Sequence, residues 1–204
     1  PSDDACRYHY LLPANMLAVS ALRRLCKLSV GKETACRAEK LAEEIAEGIY
    51  RYGIVRHPAY GEIFAYETDG MGHYNLMDDA NVPSLLAAPW FGFCEKEDGI
   101  YRNTRRFVLS ESNPYYYKGR AAEGVGSPHT PKGYVWHIAV AIRGLTAQSR
   151  KEQKEMLDML VSTTAGTGYM HEGVDADDPQ RYTRPWFAWA NSMFCLLVKA
   201  YFHL

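Results

Sequence analysis

The stretch Glu33 to Tyr52, E-T-A-C-R-A-E-K-L-A-E-E-I-A-E-G-I-Y-R-Y, decides the fold class. Its larger apolar side chains recur at helical spacing and are expected to share one face: Leu41, Ile45, Ile49 and Tyr52. Gly31 separates it from a second helical pattern over Ala14 to Leu28, which Pro13 introduces. The two segments are expected to pair as a helical hairpin.

Four further helices are predicted from their start signals, which are a proline or a side-chain cap before an apolar repeat. They run from Pro83 to Trp90, from Pro131 with Thr130 as cap to Leu145, from a capping box at Ser149 and Glu152 through Leu160, and from near Pro185 to Tyr201. Strand-like segments are short, chiefly Glu62 to Thr68. The chain is therefore expected to be mainly α, with functional residues in its Gly- and aromatic-rich loops.

Composition excludes several function classes. The chain has 204 residues and 47% hydrophobic residues, which suits one domain with a substantial core. A net charge of -1 argues against nucleic-acid or anionic-membrane partners, and no apolar run reaches the roughly 18 residues of a membrane span. The cysteines are odd in number without a C-x-x-C pair, so most are expected to be buried and free: Cys6, Cys26, Cys36, Cys94 and Cys195. The compartment cannot be read from the chain.

The loop Gly168 to Gly173, G-Y-M-H-E-G, carries the leading catalytic candidate, Glu172. A carboxylate between glycines, close to histidine, arginine and tryptophan, is typical of a sugar pocket built around a catalytic acid or base. The alternative is an ordinary surface loop with an incidental glutamate. Asp3 and Asp4 offer a second acidic site, and glycosidic hydrolysis needs two carboxyl groups.

A second polar region runs from Glu67 to Pro83 and contains Asp69, Asp79 and Asn81. It is too polar for a core and too aromatic for a linker, so contact with a polar ligand is one interpretation. The other is that Asp79 and Asn81 cap the predicted helix after Pro83, and the two roles are compatible.

Three further residues are candidates for binding a ligand. His129 stands between two prolines with no evident structural purpose, so a ligand contact is favoured. Arg184 could pair with a nearby aspartate or hold a substrate hydroxyl. Trp186 is expected to offer an apolar face to a sugar ring, whereas Trp189 is expected to pack in the core.

Metal and nucleotide motifs are not found in the sequence. His171-Glu172 lacks the second histidine of H-E-x-x-H, and Asp175 to Asp178 lacks the glycine and final glutamate of a calcium loop. There is no nucleophile elbow, phosphate loop or dinucleotide fingerprint. Neither a metal nor another cofactor is therefore expected.

Six segments, in order along the chain, resemble glycoside hydrolase family 125, the exo-α-1,6-mannosidases. These are P-S-D-D-A (1–5), Y-E-T-D-G-M-G (66–72), M-D-D-A-N-V-P-S-L-L (77–86), G-S-P-H-T-P (126–131), G-T-G-Y-M-H-E (166–172) and T-R-P-W-F-A-W-A-N-S (183–192). The resemblance implies an (α/α)6 toroid and metal-independent hydrolysis with inversion. It also implies that Asp3 is the general acid and Glu172 the general base.

The resemblance also implies that residues 1–204 are the carboxy-terminal half of one catalytic domain, since twelve helices need about twice those predicted here. The expected partners are a mannose-containing oligosaccharide or glycan and the amino-terminal half of the same enzyme. The carboxyl groups of an inverting pair are expected to stand roughly 6.5 to 9.5 Å apart. Mannose recognition is assigned to Asp69, Asp79, Asn81, His129, Arg184 and Trp186.

Two alternatives to this function come from other classes. The first is a non-catalytic helical fragment that is inactive without its amino-terminal half. The second is metal-dependent diphosphate chemistry at Asp78 and Asp79, which is weaker because no full acidic motif or basic clamp accompanies them.

Overall fold

The computed structural model describes residues 5–204. Within that range the chain forms six α-helices and ten strands of at most four residues. It divides into two compact units: Ala5–Leu76 with Pro83–Arg106, and Met77–Val82 with Phe107–Leu204. The expectation of a mainly helical chain is confirmed, and the strands are more numerous than the sequence suggests.

The first unit contains the predicted helical hairpin. Its elements are β1 (Tyr10–Leu11), α1 (Leu12–Leu25), α2 (Lys32–Tyr52), β2 (Ile54–His57), β3 (Gly61–Phe64), β4 (Glu67–Thr68), β5 (Tyr74–Asn75) and the start of α3 (Gly99–Val108). Helices α1 and α2 pack together. Strands β1, β4 and β5 form one antiparallel sheet in that order, and β2 pairs with β3.

The buried face of α2 differs from the predicted one. Its buried residues are Ala38, Ala42, Ala46 and Ile49, while Leu41 and Tyr52 are exposed. Alanines at every fourth position bring the two helix backbones close together, so the contact depends on small residues and not on the larger apolar ones. The large side chains of this hairpin come instead from α1, whose Met16 and Val19 are fully buried.

The second unit holds the remaining elements. They are β6 (Tyr116–Lys118), β7 (Glu123–Val125), β8 (Tyr134–Trp136), α4 (His137–Leu145), α5 (Arg150–Ser162), β9 (Gly173–Asp175), β10 (Tyr182–Thr183) and α6 (Ala188–Phe202). Helix α4 is buried almost throughout and packs against both α5 and α6. Strand β9 lies between β8 and β10 in an antiparallel sheet, and β6 pairs with β7.

Helix starts were predicted with mixed success. The cap at α5 is confirmed, because Ser149 Oγ accepts the Glu152 N–H at 3.1 Å. The helix expected from Pro131 begins only at His137, since Gly133 has a φ of 89° and Tyr134–Trp136 joins the sheet. Aromatic and β-branched side chains in that tripeptide suit a strand better than a helix. Thr130 therefore caps no helix.

The helix predicted from Pro83 to Trp90 is wrong. The segment forms successive turns, such as Ala87 N–H to Ser84 O and Ala88 N–H to Leu85 O. Pro89 supplies no N–H and disfavours a helical conformation at Ala88, so the turns do not extend into a helix. Asp79 and Asn81 consequently have no helix to cap.

Helix α3 was missed by the sequence analysis. Asp98 Oδ1 accepts the Tyr101 N–H at 2.8 Å, which is an N-cap interaction. Tyr101, Thr104, Phe107 and Val108 are buried at helical spacing. Both signals are present in the sequence, but Gly99 and the arginines of this segment obscure them.

Two smaller expectations also fail. Helix α6 begins at Ala188 and not near Pro185, because Arg184 has a left-handed φ of 47° and Phe187 is extended. The cysteines are free but not buried, since Cys6, Cys36 and Cys195 are exposed and the other two are partly exposed.

Candidate active site

Glu172 lies directly before β9 and is only 5% exposed. Its N–H donates to Thr183 O at 3.3 Å, and the following Gly173 N–H donates to Thr183 Oγ1 at 3.1 Å. A side chain at Gly173 would crowd Trp136 of β8. The β8–β9–β10 sheet therefore holds the backbone of the catalytic candidate from both sides.

Arg184 pairs with Glu172. The Nε atom lies 3.2 Å from Oε1, and the arginine side chain is 58% exposed while that of the glutamate is 7% exposed. The alternative of an aspartate partner is wrong, because Asp175 pairs with Arg181 at 3.3 Å. A φ of 47° is rare for arginine and costs of order 1–3 kcal/mol, so the surrounding structure must hold this turn.

His171, the neighbour of Glu172, is fully buried. Its ring stacks on Tyr182 with centroids 4.0 Å apart and an interplanar angle of 8°. Nδ1 lies 3.0 Å from Pro185 O, and Nε2 lies 3.1 Å from Thr164 O. The dipeptide His171-Glu172 thus contacts the four successive residues 182 to 185, which are strand β10 and the two residues after it.

His137 supports the same dipeptide from α4. Its Nδ1 accepts the His171 N–H at 2.9 Å, so Nε2 carries the proton and donates to Thr163 Oγ1 at 2.9 Å. Thr163 Oγ1 donates in turn to Met159 O at 2.7 Å. Burial, together with the charge of His171, lowers the pKa of His137 to about 3. This ring is a neutral structural element at the start of α4.

The loop that contains His129 is anchored at its ends, while the histidine itself is exposed. The His129 N–H donates to Ser127 Oγ at 3.2 Å, and Thr130 Oγ1 accepts the indole N–H of Trp136 at 2.9 Å. The loop is thereby attached to β8. Its imidazole stays available for a ligand, so a ligand contact at His129 remains a prediction.

Asp79 and Asn81 form a buried pair. Asn81 Nδ2 donates to Asp79 Oδ2 at 3.1 Å, and the Asn81 N–H donates to Oδ1 at 3.3 Å. The Ala80 N–H donates to Gly126 O at 3.1 Å, which joins this loop to the start of the His129 loop. The structure therefore brings these two predicted binding segments together within the second unit.

The two tryptophans are both exposed. Trp186 is 59% exposed, which agrees with a ligand-facing prediction without testing it. Trp189 is 58% exposed, so its predicted place in the core is wrong. Phe187, which lies between them in the sequence, is half-buried, with its ring 6.2 Å from that of Trp136 and 6.0 Å from that of Trp189.

Asp69 belongs to the first unit, and its carboxylate is occupied by its own loop. Oδ1 accepts the N–H groups of Met71 at 2.8 Å and His73 at 3.0 Å, while Oδ2 lies 2.7 Å from His73 Nδ1. The Met71 hydrogen bond and the interaction with His73 lower the pKa of Asp69. Asp69 and Gly70 also line a groove of about 460 Å³ beside α1 and α2.

Asp3, the predicted acid, lies outside the described residues, so its distance from Glu172 remains an expectation. Sequence reasoning overlooked the residues that hold Glu172 in place, chiefly His137, Tyr182 and Thr183. A further one is Asn191 of α6, whose Oδ1 accepts the Met170 N–H at 3.2 Å and whose Nδ2 donates to Phe187 O at 2.8 Å. His137 offers a weak signal, as a histidine in the apolar run V-W-H-I-A-V.

The family model for metal-independent alpha-mannosidase (GH125) matches residues 1–199. The chain belongs to glycoside hydrolase family 125. A relative, the "Meiotically up-regulated gene 157 protein" of Schizosaccharomyces pombe, is 46% identical over 202 residues, which are 97% of this chain and 40% of that protein. The family assignment inferred from the six sequence segments is therefore confirmed.

One solved structure agrees with the family 125 assignment, and a second shows the fold alone. A Streptococcus pneumoniae protein of the metal-independent alpha mannosidases, in a non-productive complex with alpha-1,6-mannobiose, superposes with a TM-score of 0.95 at 46% identity. The match covers all of this chain and 49% of that one. A bacterial glucoamylase complexed with acarbose superposes with a TM-score of 0.72 at 14% identity, over 94% of this chain and 33% of its own, which is a likeness of fold alone.

The chain thus spans about half the length of the family 125 proteins that it matches. Among residues 5–204, no group of three or more metal-ligating side chains is arranged to hold an ion. In the same range no helix has the length and apolar character needed to cross a membrane. Diphosphate chemistry at Asp78 and Asp79 finds no support in a family described as metal-independent alpha-mannosidases.

Proposed function

We propose that the enzyme containing this chain is an inverting exo-α-1,6-mannosidase that releases mannose from the non-reducing end of α-mannosides. Family membership supports an α-mannosidase. The complex of the Streptococcus pneumoniae relative with alpha-1,6-mannobiose supports the linkage. A mannose-containing oligosaccharide or glycan is then the substrate.

The observation that carries this proposal is the environment of Glu172. One carboxylate oxygen is paired with Arg184, and among residues 5–204 no hydrogen-bond donor reaches the other oxygen. A buried carboxylate with a fixed backbone, one oriented oxygen and one available oxygen can accept a proton from an attacking water. Glu172 is accordingly proposed as the general base.

Asp3 is proposed as the general acid on the family resemblance. In an inverting reaction the acid protonates the leaving oxygen, while the base activates water on the opposite face of the sugar. The bond from the anomeric carbon to the leaving oxygen breaks as the bond to water forms. The water loses its proton to Glu172, and the leaving alkoxide receives one from Asp3.

The stereochemical outcome tests the proposed reaction directly. Proton NMR of the first-formed sugar from α-1,6-mannobiose should show β-mannose, because water attacks from the face opposite the leaving group. Release of α-mannose would mean retention and a nucleophile other than water. Absence of hydrolysis on this disaccharide, with activity on another α-mannoside, would reject the linkage.

A pair of substrates separates the roles of acid and base. Asp3→Asn should lose most activity on mannobiose but much less on an aryl α-mannoside whose phenol leaves without protonation. Glu172→Gln should lose activity on both, because both need an activated water. Equal losses in the two variants on both substrates would remove Asp3 from the role of acid.

Mannose binding is proposed for Asp79, Asn81, His129, Arg184 and Trp186, and also for Asp69 of the first unit. The exposure of Trp186 and the link between the Asp79 and His129 loops support this set. For Asp69 the support is weaker, because loop donors already occupy both oxygens.

We also propose that the chain forms the carboxy-terminal half of a single (α/α)6 toroid. Residues 5–204 hold six helices, half of the twelve that such a toroid needs. Helix α6 is apolar around most of its circumference, yet its Trp189, Leu196 and Phe202 are 58%, 42% and 59% exposed. An apolar helix of this kind is normally covered on every side. The proposed cover is the amino-terminal half of the enzyme.

Expression of the chain alone tests this arrangement. Contiguous exposed apolar surface beyond a few hundred Å² drives association, so the isolated chain should self-associate and lack mannosidase activity. Activity should return when the amino-terminal half is supplied in cis or in trans. A monomer by sedimentation that hydrolyses mannobiose would reject the need for the other half, while an inactive monomer that the other half does not rescue would favour the non-catalytic alternative.

A further inference from the structure

Glu67 of β4 is a buried glutamate to which the proposed reaction gives no role. It is 4% exposed and lies in the middle strand of the β1–β4–β5 sheet. Its Oε2 accepts two backbone N–H groups, from Arg7 at 2.8 Å and from Tyr8 at 3.1 Å. Hydrogen bonds to a charged acceptor are stronger than those between neutral groups. The Glu67 carboxylate therefore fixes the backbone at these two residues.

The anchored segment lies just before the first strand. Residues 7–9 form a bend, and the strand pairing begins at Tyr10, which is opposite Thr68. The two N–H groups thus lie beyond the strand pairing, and a side-chain carboxylate is their acceptor. A looser contact supports the same segment, because the Tyr8 ring lies 6.3 Å from that of His73 with the planes 20° apart.

We propose that Glu67 is a positioning residue for the general acid, because its carboxylate anchors the segment that follows Asp3. The positioning role rests on the proposed function of Asp3. The anchor itself consists of the hydrogen bonds from Arg7 and Tyr8 and does not depend on any activity.

The short connection between the anchor and the acid carries this proposal. Asp3 lies outside the described residues and precedes Arg7 by four positions. Four residues span at most about 14 Å when fully extended. A shift of the anchor is therefore passed on to the acid, and a misplacement of about 1 Å can lower a rate about 10²-fold. Loss of the Glu67 acceptor should impair protonation of the leaving oxygen and spare the activation of water at Glu172.

Kinetics of the intact enzyme on two substrates test the positioning role. Glu67→Met keeps the length of the side chain but removes the acceptor. It should lower kcat on α-1,6-mannobiose about 10- to 100-fold with little change in KM. On an aryl α-mannoside whose phenol leaves without protonation, kcat should fall less than about threefold. Equal losses on the two substrates would overturn the positioning role.

The conservative variant Glu67→Gln tests the same role by partial rescue. Its neutral amide oxygen can still accept both N–H groups, but more weakly than a carboxylate. Its kcat on mannobiose should lie between those of the parent enzyme and Glu67→Met. If Glu67→Met does not fold, the smaller loss in Glu67→Gln should still be confined to mannobiose, and an equal loss on the aryl mannoside would reject the proposal.

A double variant tests whether Glu67 acts through the acid. Once Asp3→Asn has removed the proton donor, the position of this side chain no longer matters to protonation. Asp3→Asn combined with Glu67→Met should therefore be about as active on mannobiose as Asp3→Asn alone. A further loss of about tenfold or more would show that Glu67 acts by another route, and would overturn the positioning role.

Asp98→Ala is the matched control. Asp98 is another carboxylate of the first unit that accepts a backbone N–H, from Tyr101 at 2.8 Å near the start of α3. Loss of this acceptor should lower the melting temperature without changing the ratio of kcat on the two substrates. If the ratio changed as it does in Glu67→Met, it would report general destabilisation, and the positioning role would be rejected.

Hydrogen exchange of the intact enzyme tests the anchor without an assay of activity. Mass spectrometry of a peptide that contains Arg7 and Tyr8 should show exchange at least about tenfold faster in Glu67→Met than in the parent enzyme, because both N–H groups lose their acceptor. Asp98→Ala should leave exchange in this peptide unchanged. Unchanged exchange in Glu67→Met would overturn the anchor and the positioning role together.

The variants also distinguish failure of the positioning role from failure of the proposed function. If Asp3→Asn loses equal activity on both substrates, Asp3 is not the acid, and the positioning role falls with that assignment. If Asp3→Asn loses activity chiefly on mannobiose and Glu67→Met does not, the proposed function stands and the positioning role of Glu67 is rejected.

Discussion

Glu172 and Asp69 are two acidic residues in glycine-rich loops, but their carboxylates have different kinds of partner. Asp69 uses both oxygens on donors within its own loop, four residues or fewer away. Glu172 is held by residues distant in sequence, and among residues 5–204 only one of its carboxylate oxygens has a partner. Local contacts shape a loop, whereas long-range contacts with one oxygen left available suit a residue that must act on a bound water.

The largest expected effect separates these two residues directly. Glu172→Gln should lower kcat by about 10²- to 10⁴-fold, the range typical of a lost general base, while leaving the shape of the pocket intact. Asp69→Asn should change activity by roughly tenfold or less, because the amide oxygen can still accept from the loop N–H groups. Steady-state kinetics on mannobiose provides the measurement.

Glu152→Gln is the matched control for this comparison. Glu152 is another poorly exposed glutamate of the second unit, with Oε1 at 3.3 Å from Nε of Arg143. It should retain near-normal kcat despite some loss of stability. If Asp69→Asn proved more damaging than Glu172→Gln, the contrast drawn from the hydrogen bonds would be wrong.

A smaller effect is expected at the two basic partners. Arg184→Ala should lower kcat about tenfold to a hundredfold, because a charge-assisted contact that orients a buried carboxylate is lost. His73→Asn should have little effect on kcat, since the exposed His73 ring contacts a carboxylate that the backbone also holds. Equal kcat values for these two variants would remove Arg184 from the orientation of Glu172.

Sequence reasoning located the family, the main helices and Glu172, because these depend on local signals. The Pro13 start, the Ser149 cap and each of the six motif segments lie within a few residues. It did not foresee the strand Tyr134–Trp136, which becomes a strand only by pairing with β9. It also placed Trp189 in the core, whereas Trp189 is exposed and the nearby Phe187 is half-buried against Trp136. Which of two neighbouring aromatic residues packs inward depends on the tertiary structure.

In the candidate site, too, some residues could be predicted from the sequence, whereas their contacts could not. Glu172 and Arg184 were predicted by type and proximity in sequence, but their pairing requires the β9–β10 register and the unusual backbone at Arg184. His137 could not be assigned from the chain alone, since a lone histidine in an apolar run does not reveal its partner 34 residues away. Long-range polar contacts of this kind are set by the fold and not by a local motif.

The smallest expected effect is a difference in acid sensitivity between the two regions. The pKa of His137 is lowered by burial to about 3, while that of an unfolded histidine is roughly 6.5. The unfolded state therefore binds a proton that the folded state excludes, and stability falls as the pH drops from about 6.5 towards 3, at up to about 1.4 kcal/mol per pH unit. The pKa of Asp69 is also lowered, chiefly by the Met71 hydrogen bond, but the stability linked to it is lost only below about pH 4, where an unfolded aspartate gains its proton.

The melting temperature of the intact enzyme, measured at about pH 7 and about pH 5.5, should therefore respond to His137 and not to Asp69. His137→Asn keeps an acceptor for the His171 N–H but has no imidazole to titrate, so it should lose roughly 1–2 °C less than the parent enzyme between the two values. The melting temperature of Asp69→Asn should fall by as much as that of the parent enzyme between the two pH values. Each variant is compared with itself at the two pH values, so a loss of stability that is the same at both values cancels. If the melting temperatures of His137→Asn and the parent fall by the same amount, His137 is not a buried neutral histidine. The hydrogen bonds assigned to its ring, with the His171 N–H and with Thr163, would then be wrong.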